Sequence, residues 1–170
     1  LRAVALTRTY LRQPDIDTLA GLTALEAITL QAYGDAIQEP LDLTPLRALK
    51  GLRQLVLVDL RARSLAPITA LRGLRSLRIR YHAAMGALVA APERLSLAPL
   101  RGLKELEIAG RLAPAVFEIA DLGRCAHLRE LRWSDSDDAP LISAAPLVRL
   151  RQLRRLDLAD TRLETLDGLW

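Results

Sequence analysis

Near the end of the chain stands Leu153-Arg-Arg-Leu156-Asp-Leu158-Ala-Asp-Thr-Arg-Leu163, and its opening L-x-x-L-x-L decides how the rest is read. The pattern returns at Leu1-Val4-Leu6, Leu25-Ile28-Leu30, Leu52-Leu55-Leu57, Leu74-Leu77-Ile79, Leu103-Leu106-Ile108 and Leu128-Leu131-Trp133, seven copies in all. Successive copies start 24, 27, 22, 29, 25 and 25 residues apart. A unit of that size cannot bury its own apolar side, so neighbouring units must stack and share one core. Within each copy the last two apolar positions alternate as a strand requires. Upstream, leucines recur every third residue, as in Leu43, Leu46, Leu49 and Leu65, Ile68, Leu71, which reads as a tight returning turn.

The pattern resembles the leucine-rich repeat, L-x-x-L-x-L-x-x-N/C-x-L, over essentially the whole chain. The first copy, LRAVALTRTYL, and the last, LRRLDLADTRL, carry the likeness furthest. The resemblance implies an α/β solenoid, a right-handed horseshoe with a concave parallel sheet of about seven strands. Short helices or 3-10 turns would form its convex side, and residues 1–170 would make a single domain. At the family's asparagine position this chain has Thr9, Tyr33, Leu60, His82, Arg111, Ser136 and Thr161, so the usual side-chain ladder should be missing. Four segments share a capping residue three before a proline: Asp42-Leu-Thr-Pro45, Ser64-Leu-Ala-Pro67, Ser96-Leu-Ala-Pro99 and Ser143-Ala-Ala-Pro146. Ser or Asp there can accept the free N–H groups of a short helical turn, and early proline costs that turn no donor. These segments look like the returning helices of internalin-type repeats. In the fifth unit the proline lies three residues nearer the strand, which predicts one turn deleted and an insertion over Tyr81 to Leu95.

Of 170 residues, 38 are leucine and 26 alanine, and the hydrophobic share is 51%, too high for a disordered chain. Cys125 has no second cysteine to pair with, which excludes a disulfide scaffold, and its place in the Ile119, Leu122, Cys125, Leu128 ladder reads as core. The longest uncharged apolar stretch, Ala83 to Pro92, falls far short of the ~20 residues of a membrane span. Its flanks suggest a buried helical turn. The opening on Leu1, the lack of a secretory signal and the unfinished repeat at Leu163-Leu166-Leu169 read as a module excised from a longer chain with further domains. Asparagine is absent, and only Lys50 and Lys104 are lysines against 22 arginines, which fits a GC-rich bacterial genome and a cytoplasmic protein.

The net charge is +4. Along the chain the arginines alternate with acids and leucines, and there is no run of five like charges. A nucleic-acid footprint through convex arginines such as Arg72, Arg75, Arg101, Arg129, Arg149 and Arg154 is therefore the weaker reading.

Positions three, five and seven of each copy should leave the core on the concave side. The resulting columns begin with Ala3, Ala5, Ala27, Val56 and Val58, then turn to charge. Gln54 and Glu105 fall in the first column, and Arg78, Glu107, Arg132 and Asp157 run consecutively down the second. Those four read either as a self-compensating ladder or as a polar recognition strip. Arg80, Tyr81 and His82 have less obvious partners and form the preferred contact cluster, since arginine and tyrosine are enriched at interface hot spots. Ser134-Asp135-Ser-Asp-Asp138 is the densest acidic run. It lacks the glycine and distal glutamate of a calcium loop, so it reads as a solvated turn, with Asp135 on the rim of the contact surface.

No phosphate-binding glycine loop, nucleophile elbow or zinc-helix histidine spacing is present. Glu105 and Glu107 form a carboxylate pair on an open sheet, where nothing would perturb them for acid–base work. The reading is therefore a non-catalytic module without cofactor or metal, binding a protein partner on its concave face. The parent it resembles is a bacterial NACHT-type signalling protein with this module as sensor. The alternative is a secreted or surface protein of the internalin type.

Overall fold

In the computed structural model the described residues are 1–32, 39–81, 95–110, 119–134 and 145–159. Seven strands, β1 (Ala3–Thr9), β2 (Ala27–Ala32), β3 (Gln54–Val58), β4 (Ser76–Arg80), β5 (Glu105–Ala109), β6 (Glu130–Ser134) and β7 (Arg155–Asp157), form one open sheet in sequence order. Every neighbouring pair is parallel. The expected leucine-rich-repeat solenoid is the observed architecture.

The register is the one that the repeat dictates. Leu55 stands beside Ile28 and Leu77, Leu106 beside Leu77 and Leu131, and Ile108 beside Trp133. Leu25, Leu52, Leu74, Leu103 and Leu128, the first leucines of five copies, are all fully buried. Burying a leucine stabilises by about 1.5–3 kcal/mol, so this ladder supplies the main driving force. Trp133, at 1% exposure, and Cys125, at 0%, join the same core. Burial pushes the Cys125 thiol up to about 11, with Asp121 adding to the shift, so it stays protonated at neutral pH.

Side chains cap the returning segments where they begin. The Asp42 carboxylate accepts the Thr44 N–H at 2.8 Å, and the Ser64 hydroxyl accepts the Ala66 N–H at 3.0 Å. The 3-10 helices Thr44–Ala48 and Ala66–Ala70 follow, with proline in the first turn. In the fifth unit Ser96 caps Ala98 in the same way, but only a turn intervenes before β5, consistent with one turn deleted. Among the described residues only the first unit returns through an α-helix, α1 (Gln13–Ala20). Pro14 opens it, and Asp15 accepts the Arg12 N–H at 2.8 Å.

At the family's asparagine position Leu60 is fully buried, and backbone bonds replace the side-chain ladder: Asp59 N–H donates to Arg80 O and Tyr81 N–H to Ala109 O, both at 2.9 Å. This exit turn needs unusual backbone. Asp59 has φ 51° and Gly110 has φ 99°, and a Cβ on Gly110 would lie 2.0 Å from the Tyr81 carbonyl oxygen. The insertion after Tyr81, the apolar stretch from Ala83, the acidic run from Asp135 and the remaining turn after Asp157 lie wholly or mainly outside the described residues.

Candidate recognition surface

Alternation along each strand turns the predicted columns out of the core, and the register aligns them. Gln54, Ser76, Glu105, Glu130 and Arg155 are neighbours down one column, and Val56, Arg78, Glu107, Arg132 and Asp157 down the next. The third column breaks at β1, where an irregularity after Leu6 sets Thr9 opposite Ala32 and leaves Thr7 out of the register.

The charged half is a linked network. Glu107 is its centre, with a side chain only 10% exposed. Arg80 donates to both of its oxygens, at 2.7 and 2.9 Å. Arg78 approaches at 3.9 Å and Arg132 at 3.7 Å. Burial pushes the Glu107 carboxyl up, but the Arg80 hydrogen bonds, with the charges of Arg80, Arg132 and Arg78, outweigh it and hold the carboxyl below its ordinary value. The same bonds raise Arg80 against the opposing effect of burial. Around this centre Arg78 reaches Glu105 at 3.3 Å, Arg132 reaches Asp157 at 2.9 Å and Arg155 reaches Glu130 at 3.1 Å. Ser76, nearly buried, donates its hydroxyl to Glu105 at 3.0 Å.

This geometry corrects two expectations. Arg80 has a partner after all, and a bidentate one. Tyr81 is 6% exposed and packs in the core, because the alternation that turns Leu77 and Ile79 inward carries one step past β4 and turns Tyr81 inward too. Its ring is therefore not a surface contact. Burial, with the charge of Asp59 adding to it, pushes its phenol well up. Gln54 and Arg132 are exposed on the concave face, Arg78, Arg80, Glu105 and Asp157 half-buried there. His82 and Asp135 lie outside the described residues.

The network floors a depression of about 170 Å³. Small-molecule sites usually measure ~300–1,000 Å³, so its scale suits one or two side chains of a larger partner. Beside it, on β1–β3, Ala3 and Ala5 are exposed and Ala27, Thr29 and Val56 half-buried. Val58, expected to join them, is only 8% exposed. The concave face is thus divided: smooth and weakly polar on β1–β3, charged and internally paired on β4–β7.

A second hollow, not foreseen from sequence, lies outside the sheet. It has about 720 Å³ and is bordered by Tyr10, Pro14, Asp17, Pro40, Pro45 and Arg63. The Gln13 amide holds its far wall, donating to Asp42 O at 3.0 Å and accepting the Asp42 N–H at 2.8 Å. The only sequence signal was the cluster of prolines flanking two returning segments.

Among the described residues no group of three or more His, Cys, Asp or Glu side chains is placed to hold a metal ion, and no helix is long and apolar enough to cross a membrane.

No protein-family model matches the chain, and no curated protein is significantly similar to it in sequence. Solved structures do resemble it. An internalin of Listeria monocytogenes superposes with a TM-score of 0.69 at 22% identity, over 99% of this chain and 44% of that one. Internalin C2 of the same organism gives 0.52 at 17% identity, over 94% of this chain and 79% of that one. A leucine-rich-repeat protein of Leptospira interrogans gives 0.52 at 14% identity, over 98% and 50%. The chain spans less than half the length of the first internalin. At these identities the likeness establishes the leucine-rich-repeat fold.

Proposed function

We propose that this leucine-rich-repeat solenoid is a non-catalytic recognition module that binds a protein partner across its concave sheet. The observation that carries the reading is the division of that sheet. Protein interfaces combine less polar and charged surface, and β1–β3 supply the first while β4–β7 supply the second within one continuous surface. Arg78 and Arg132 are the best-placed anchors, because each is held by acids yet keeps 40–50% of its side chain exposed. The Arg80–Glu107 pair sets the geometry beneath them. The single buried thiol and the paired carboxylates supply no group suited to covalent or acid–base chemistry.

The setting that fits this reading is the sensing portion of a larger bacterial signalling protein of the NACHT type, working in the cytoplasm. Partner binding would there release the effector domains. The internalin-like turns support the surface-protein alternative. A nucleotide-binding motif encoded upstream selects the first, and a signal peptide selects the second.

The test is partner capture by the full chain against an R78E/R132E double variant, with folding checked by circular dichroism. Loss of capture by about tenfold or more is expected, the scale of a removed hot spot. Unchanged capture by the folded variant removes the concave face from the interaction.

A further inference from the structure

The position before each concave column starts carries a second, separate pattern. The residue after the first leucine of each copy is Arg2, Glu26, Arg53, Arg75, Lys104, Arg129 and Arg154. From β3 onward this column is basic on five consecutive units, and all five side chains are exposed. Its stacking is fixed by backbone. Arg75 N–H donates to Arg53 O, Lys104 to Arg75 O, Arg129 to Lys104 O and Arg154 to Arg129 O, all at 2.7–2.8 Å. Each of these acceptor carbonyls also takes the next N–H of the following unit. The five cations are therefore held at the strand spacing of ~4.8 Å along the strand-entry edge.

Three residues upstream lies a parallel column of Lys50, Arg72, Arg101 and Arg151, exposed as well and interrupted only by Ala126 in the sixth copy. Between the two rows stand Gly51, Gly73 and Gly102, which leave bare backbone as the floor. A Cβ at Gly73 would come within 3.1 Å of Lys50 O, and at Gly102 within 2.6 Å of the Arg75 guanidinium, which lies over that glycine and donates to its carbonyl at 3.0 Å. None of these nine basic residues makes an ion pair with a described acid. The nearest acids along the chain, Glu105 and Glu130, turn to the concave side and are engaged with Arg78, Ser76 and Arg155. Interleaving in sequence has become segregation in space, which removes the reason for setting nucleic acid aside.

We propose that this strand-entry edge is a docking surface for the phosphate backbone of a nucleic-acid duplex, bound without sequence preference. Two rows of cations, with a glycine floor at Gly51, Gly73 and Gly102 that gives way to His127 and Gln152 in the last two copies, match a linear polyanion. Arginine, the majority species here, bonds phosphate oxygens in pairs. From β3 to β7 the array spans roughly 19 Å, four strand spacings, a length over which a duplex carries about eleven phosphate charges at one per ~1.7 Å of axis. An anionic membrane would call for apolar or aromatic anchors among the cations, and an acidic protein for an apolar centre; the two rows contain neither. The lack of stacking aromatics likewise favours a duplex over a single strand.

The experiment is fluorescence anisotropy of a 20-base-pair random DNA duplex titrated with the full chain at several salt concentrations. The expected Kd is on the order of 10 µM at low salt, and five contacts give a slope of log K against log salt of about −4.5. In a K104E/R129E variant affinity should fall by about tenfold or more and the slope by about two. An R12E/R47E variant alters net charge equally but lies off the rows, and should bind within about twofold of the parent. Three results overturn the proposal: no binding at 50 mM salt, equal losses in the two folded variants, or binding of phosphatidylserine vesicles or polyglutamate with none of duplex.

Discussion

Two columns of the same strands, three residues apart in each repeat, arrive at opposite electrostatics. On the concave side Arg78, Glu107, Arg132 and Asp157 alternate in sign from strand to strand and neutralise one another. At the strand entry Arg53, Arg75, Lys104, Arg129 and Arg154 share one sign and have no acidic partner among the described residues. Residues adjacent in the chain point to different faces, so charge balance along the sequence says little about either. In a stacked repeat the neighbour that matters is the same position one unit away, about 4.8 Å off. The first column can be internally stable at the expense of free charge for a ligand. The second keeps its charge free, and its mutual repulsion is borne by the backbone ladder beneath.

Breaking what both columns share should have the largest effect. Leu77 is fully buried on β4, the middle strand, between Arg78 of the concave column and its strand-entry neighbours. Leu77→Ala is expected to cost about 2–5 kcal/mol in urea unfolding, by lost burial and a cavity. A loss below about 1 kcal/mol would mean that the sheet is not held by its leucine ladder, and both columns would then lack a fixed spacing.

The next effect is confined to the paired column. Glu107→Gln removes the carboxylate on which three arginines converge, and should cost about 1–3 kcal/mol at pH 7. Because the arginines remain half-exposed, they regain water, which keeps the loss below that of stranding a buried charge. The pH dependence has a definite sign. The folded carboxyl is held below its ordinary value of 4.5 despite burial, so the folded state binds this proton more weakly than the unfolded chain. Its stabilisation is present above the unfolded value and is lost as pH falls through the folded one. The difference between parent and variant should therefore be full at neutral pH and shrink in acid below about pH 4. A difference that is constant from pH 7 to pH 3 would show that packing, not charge, accounts for it.

Much of this surface was legible beforehand, and the misses have separate physical causes. The leucine positions and the outward columns follow from period alone, since a two-residue alternation in a parallel stack leaves no freedom of face. That logic ends where the strand ends. Val58 sits at a strand exit beside the positive-φ turn at Asp59 and is covered rather than exposed, whereas Tyr81 has the inward parity of Leu77 and Ile79 and should have been read as core. The bond from Arg80 to Glu107 was missed because it runs diagonally, from the third column of one strand to the second column of the next, within reach of a long side chain but not of a position count. Five of the strand-entry cations, Arg72, Arg75, Arg101, Arg129 and Arg154, were named from the sequence, but their alignment into rows is not visible until the copies are stacked.

The smallest expected effect separates the two columns most cleanly, because its sign reverses. Lys104 is exposed, stacked between Arg75 and Arg129, and has no acidic partner among the described residues. Lys104→Glu should therefore create alternation where there was repulsion, and stabilise the fold by about 0.2–1 kcal/mol, as cross-strand opposite charges do. A charge substitution in the concave column must instead destabilise. The gain at position 104 should fade with salt, since exposed charges are screened within about 10 Å at 0.1 M ionic strength. Equal urea midpoints for parent and variant at low salt would mean that the cations already spread apart into solvent. Such flexible side chains would contact phosphate individually and not as a fixed row. A gain that vanishes between 20 mM and 500 mM salt, paired with the loss of duplex binding, would show that the chain keeps this edge unpaired at a measurable cost in stability, as a binding surface requires and a merely solvated one does not.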